Sequence, residues 1–168
     1  MNEFFKTLQQ PEYVHVLLNH LPIIGLFVAL LGLGAALFLK PRAPLFLTLA
    51  LVGLMALSVV PVKRSGDRGA DRVLAMSDDE GQAYLKYHEQ LAQRWLFLYL
   101  LTALAAAGTF VVGWKWPRRF RLAASGVLLL GLASLVAGAV IADYGGKIRH
   151  REFRNGPPPV VTTATDNG

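Results

Sequence analysis

Four stretches of this 168-residue chain carry no charged side chain: residues 21–39, 44–62, 95–113 and 122–142. Each is close to the length of about 20 helical residues that crosses a hydrocarbon core. A backbone in lipid must satisfy its own hydrogen bonds, so such stretches can only be helices. An even number of crossings returns the chain to the side it started from. The expected fold is therefore all-α, a four-transmembrane-helix up-down-up-down bundle over residues 1–154, with both termini on one side (side A). The mean hydropathy of +0.41 exceeds what a soluble core of this size needs, and the length leaves no room for a separate soluble catalytic domain.

Two connections lie on the opposite side (side B), at residues 40–43 and 114–121, and both are short. Pro41 and Pro44 suit a helix stop and restart in the first. The connection from 63 to 94 lies on side A and reads as the longest loop. Within it Ser77, Asp78, Asp79 and Glu80 form an S-x-x-E capping box, the signature of a helix start. From there Tyr84, His88, Leu91, Trp95 and Tyr99 follow at spacings of three and four along one helical face. The third helix is thus expected to project about three turns above the membrane. Residues 155–168, with Gly156 and three consecutive prolines, read as a disordered tail. The N-terminal decapeptide carries Glu3 and Lys6 and no basic cluster, so the first apolar run reads as a retained helix rather than a cleaved signal.

Charge is distributed unevenly. All 11 acidic residues fall on side A, whereas side B holds Lys40, Arg42, Lys115, Arg118, Arg119 and Arg121 and no acid. The positive-inside rule weighs Lys and Arg in short loops near span ends, so side B is expected to face the cytoplasm. Trp114 and Trp116 on side B and Trp95 on side A fit interfacial belts. The basic loops read as topology signals and contacts to anionic lipid, with no nucleic-acid partner.

The four histidines, His15, His20, His88 and His150, all lie on side A near the ends of three helices. Bundles build ligand sites from such facing positions. His15 and His20 are five residues apart, about 140° around a regular helix, so they would not chelate one small ion. That geometry suits two ligand levels, or one ligand and a supporting residue. Bis-imidazole b-type haem pairs histidines from opposing helices, and four histidines could serve two such haems. With no cysteine anywhere in the chain, imidazole favours iron or copper over a soft-metal site, and a copper or zinc site is the alternative to haem. Helices one and three are the expected facing pair. Glu89, Glu12 and Asp143 are carboxylates placed to orient an imidazole. Equally, a histidine at such a position is often a polar contact between helices.

Three local patterns occur in order: His15 and His20 followed by Leu21-Pro22-Ile23-Ile24-Gly25; Ser65-Gly66-Asp67 with Ala70 and Val73, then His88-Glu89-Gln90-Leu91-Ala92; and Asp143-Tyr144-Gly145-Gly146 ending in His150. Together they resemble an uncharacterised family of bacterial four-helix membrane proteins, over about residues 12–151. The resemblance implies a multi-pass protein of the bacterial cytoplasmic (inner) membrane in which these four histidines recur. Its association with electron-transfer modules implies b-type haem and a redox protein or larger membrane complex as partner. This chain departs from the pattern at Arg64, Arg68 and Arg72, which add positive charge to the side A connection.

Gly145-Gly146 would either turn the chain so that His150 folds over the bundle or form an ordinary helix C-cap. No phosphate-binding loop, nucleophile elbow or His-Glu-x-x-His occurs, which leaves enzymatic activity open. Apart from Tyr99, no ionisable side chain sits within the spans, which argues against transport. The functional expectation is a membrane-embedded b-type haem or metal-binding protein engaged in electron transfer. The alternative is a non-catalytic membrane subunit or assembly factor with structural histidines.

Overall fold

The computed structural model describes residues 2–160, with side chains from residue 5 onward. A short helix α1 (Asn2–Thr7) precedes four antiparallel rods. The first rod joins α2 (Pro11–Leu18) to α3 (Leu26–Phe38) through a π-helical turn, Leu21–Gly25. Pro22 lies in that turn; it has no N–H to give the Leu18 carbonyl, and the wider turn absorbs the missing bond. The second rod joins α4 (Ala43–Leu57) to α5 (Val59–Ala75) with an irregularity at Ser58, where Pro61 likewise cannot donate to Leu57. The third is α6 (Asp79–Lys115) and the fourth α7 (Phe120–Arg149). All four rods are long and apolar enough to cross a membrane. The chain is a multi-pass, all-α four-helix bundle.

The side A connection differs from the expected long loop. Residues 63–75 continue the second rod as helix, and only Met76, Ser77 and Asp78 join it to α6. The helix start lies one residue later than the expected Ser77 cap. Asp78 is the N-cap, accepting from Gly81 N at 2.9 Å, while the Ser77 hydroxyl donates back to Val73. At 1.5 Å per residue, α6 is about 56 Å long against a hydrocarbon core of about 30 Å. The side B turns are tight, so the excess of every rod emerges on side A. The expected single projecting helix is instead a four-helix cap.

Within the membrane, α3 packs on α4 and α7, and α6 packs on the same two neighbours. The first and third rods therefore stand on a diagonal. Leu26, Leu30 and Leu33 meet Leu45, Leu49, Val52, Tyr99 and Val127 in one core. Phe46 and Phe120 close its side B end, their rings 4.5 Å apart, and both lie against Gly113, where any Cβ would overlap them. One polar bond crosses this interior, between the fully buried Thr102 and Ser134 hydroxyls at 2.8 Å. The cap has a second core of Tyr84, Leu85 and Ile148, with Val73, Leu74 and Tyr144 against it.

The chain turns after α7 through a 3-10 turn, Arg151–Phe153. The Arg154 guanidinium then donates to the Lys147 and Ile148 carbonyls and to both Asp78 oxygens. One side chain thus caps the C-terminus of α7 and fastens it to the N-cap of α6. Its hydrogen bonds, joined by the one from Gly81 N, hold the Asp78 carboxyl below the usual carboxylate range. Of the expected disordered tail, residues 161–168 lie outside the described residues. Gly156, before them, accepts a hydrogen bond from Tyr84 at 3.4 Å.

Candidate functional site: a paired histidine site in the cap

Two of the four histidines meet. His15 of α2 and His88 of α6 approach across the diagonal with ring centroids 6.2 Å apart and planes at 84°. His15 Nδ1 lies 2.9 Å from the Val62 carbonyl of α5, and His88 Nδ1 lies 2.9 Å from the Ile141 carbonyl of α7. A carbonyl can only accept, so Nδ1 of each ring carries the proton and donates. In the neutral rings the lone pair is then on Nε2, the atom that binds a metal in such an arrangement.

Each ring rests on a glycine of the neighbouring rod. A Cβ on Gly66 would come within 2.9 Å of His15 Nδ1, and one on Gly145 within 3.1 Å of His88 Cε1. Neither glycine at 145–146 turns the chain, because α7 runs on to Arg149. Gly145 makes room for His88 instead. Ser65 also donates to the Val62 carbonyl, at 2.9 Å, so that oxygen receives both His15 and Ser65.

His88 is half-buried and lies seven residues outside the charge-free stretch that starts at Trp95. Burial pushes its pKa below the ordinary histidine value; the bond to Ile141 opposes this and the nearby His15 adds to it. The ring is therefore neutral at pH 7, the state a metal ligand requires. Glu12, one turn before His15, is engaged elsewhere, with Oε1 2.9 Å from Arg72.

The other two histidines stand apart. His20 is exposed and its Nδ1 donates to Val16 of its own helix at 3.0 Å. The five-residue spacing turns it away from His15, as a helix requires. His150 is also exposed, with Nδ1 2.9 Å from Glu152 and its ring stacked on Phe153. It does not fold over the bundle, because the chain reverses only at residues 151–154. Among the described residues no three His, Asp or Glu side chains are grouped to hold a metal ion. The expected four-histidine cluster is thus a pair.

That pair discriminates between ligands. A structural zinc ion takes four protein ligands and a catalytic one three, and here there are two. A group that brings its remaining donors with it, such as haem, would need only two from the protein, and His15 and His88 would supply them.

The sequence motifs include both histidines and the two glycines they rest on, but not the two carbonyls. A backbone oxygen has no residue signature, and only the packed rods identify it. No family model, curated protein or solved structure matches this chain.

Proposed function

We propose that this protein holds one b-type haem between His15 and His88 and passes electrons at the side A face of the membrane. The observation that carries the reading is two diagonal imidazoles, each with Nδ1–H fixed on a carbonyl, with no hydrogen bond to either Nε2 and no group of three ligands among the described residues. Held by these two histidines, a haem would supply a one-electron couple. The protein's part is orientation: Val62 and Ile141 fix the ring tautomers and increase ligand basicity, while Gly66 and Gly145 let the rings lie close to the rods. The density of Lys and Arg in the side B turns favours a cytoplasmic side B. On the resemblance to bacterial four-helix membrane proteins, electron transfer then occurs at the outer face of the cytoplasmic membrane, to a redox protein or a larger membrane complex.

The test is an absorbance spectrum of detergent-purified protein from haem-sufficient cells, oxidised and then reduced with dithionite. A Soret band that sharpens on reduction is expected, absent in His15→Ala and His88→Ala and retained in His20→Ala and His150→Ala. A featureless spectrum from folded wild type would sink the haem reading.

A second reading has its own observation. His15 ties the first rod to the second and His88 ties the third to the fourth, as interhelical polar bonds do. On this reading the protein is a non-catalytic membrane subunit or assembly factor. Colourless wild type that loses thermal stability in both His15→Gln and His88→Gln would favour it.

A further inference from the structure

Side B carries a feature that the histidine pair does not use. A surface hollow there is lined by Arg42, Lys115, Trp116, Pro117, Arg118 and Arg119. It joins the first side B turn to the second, so four cations from two separate hairpins share one concavity. Among the described residues no ion pair or side-chain hydrogen bond engages any of the four, and no acidic residue occurs in either side B turn to neutralise them. Arg121 differs: its guanidinium donates to the Leu37, Leu39 and Lys40 carbonyls, capping the C-terminus of α3. The one nearby arginine with a structural duty lies outside the lining, and those in the lining have none.

Two further observations bear on the ligand. Arg42 and Arg119 are the N-cap residues of α4 and α7, with no side-chain cap and no acid in either first turn. Both helices thus begin beside the hollow with their positive dipole ends unanswered. Trp114 and Trp116, largely exposed at 87% and 52%, sit where the charge-free spans end, at the depth of a lipid headgroup.

We propose that this hollow binds the phosphate-bearing headgroup of an acidic phospholipid, with Arg42 and Arg119 as its principal contacts. Guanidinium groups match phosphate oxygens in pairs, and the phosphodiester of a phospholipid headgroup is the anion met at this depth. Free phosphate shares the same chemistry, so the test must tell the two apart.

The full chain in detergent is titrated with phosphatidylglycerol, phosphatidylcholine and inorganic phosphate, with lipid retention read by native mass spectrometry. Phosphatidylglycerol is expected to bind at least tenfold more tightly than phosphatidylcholine. A juxtamembrane cation is worth about 1 kcal/mol, or about fivefold in affinity, so R42Q/R119Q should weaken phosphatidylglycerol about 25-fold. R42K/R119K keeps the charge and should recover only part of the loss. K40Q removes a charge from the same turn but outside the lining, and should cost no more than the general loss of about fivefold for one juxtamembrane cation, well short of the double variant. Equal binding of the two lipids overturns the site, as does a K40Q loss matching that of R42Q/R119Q. Phosphate that competes fully at millimolar concentration would assign the hollow to a soluble anion and overturn the lipid assignment.

Discussion

At the scale of single residues, the histidine pair depends on what is missing beside it. Gly66 sits in helix α5 against His15, so Gly66→Ala places a methyl where the ring lies. Alanine gains about 1 kcal/mol over glycine in a helix, but overpacking costs about 1–3 kcal/mol when the neighbour is held, and His15 is held by Val62. Net destabilisation of Gly66→Ala is expected, whereas Gly126→Ala, where a Cβ meets nothing within 4 Å, should stabilise by up to about 1 kcal/mol. Thermal unfolding in one detergent compares them; equal gains would mean that the His15 ring is free to move. His88 adds a pH dependence. Its folded pKa lies below the ordinary 6.5, so the unfolded chain takes up the proton first as pH falls. Stability should be intact above pH 6.5 and decline as pH drops from there toward the lowered value. His88→Gln should flatten that slope between pH 7.5 and 5.5, and an unchanged slope would place the titrating group elsewhere.

At the scale of elements, the membrane spans were legible because lipid permits one solution: a charge-free run of sufficient length must be helix. The cap was less legible, because above the membrane water competes for backbone groups and charge no longer marks an end. Residues 63–75 carry Lys63, Arg64, Asp67, Arg68, Asp71 and Arg72 and so resemble a loop. They are helical because Ser65, Gly66 and Gly69 let α5 pack closely against α2; a Cβ on Gly69 would come within 2.9 Å of Glu12 N. Lys63 and Asp67, four apart and 2.6 Å in contact, support the exposed face only weakly. The cap lies one position beyond Ser77 because Ser77 and Asp78 both qualify by residue type, and the Ser77 hydroxyl donates back to Val73 while Asp78 accepts from Gly81 N. Deeper in the bundle, α6 and α7 share the Thr102–Ser134 bond between two fully buried hydroxyls. Polar pairs between membrane helices average about 0.6 kcal/mol. A double-mutant cycle of Thr102→Val and Ser134→Ala, read by unfolding in detergent, should give a coupling of that size. Zero coupling would mean that each hydroxyl is satisfied by its own helix, through Leu98 and Leu130.

At the scale of the whole molecule, the two faces differ in kind. Side A extends as a packed four-helix cap, fastened by Arg154 and bearing the paired histidines. Side B is two tight turns with six cations and no acid. That asymmetry puts the two proposed activities on opposite sides of the membrane, so orientation is the property to measure. The absence of cysteine makes the measurement direct, since one introduced thiol is the only one present. Asn155→Cys reports side A and Pro117→Cys reports side B, both at exposed positions whose replacement leaves every charge in place. With side B in the cytoplasm, a membrane-impermeant maleimide should label Asn155→Cys in intact cells and Pro117→Cys only after permeabilisation. The reverse pattern would place the histidine pair on the cytoplasmic side, and an electron carrier there would need a cytoplasmic redox partner. Labelling of both in intact cells would mean that the chain inserts in two orientations. Short-loop charge density would then be too weak a signal in this chain, with 11 further cations spread through the cap and tails of side A.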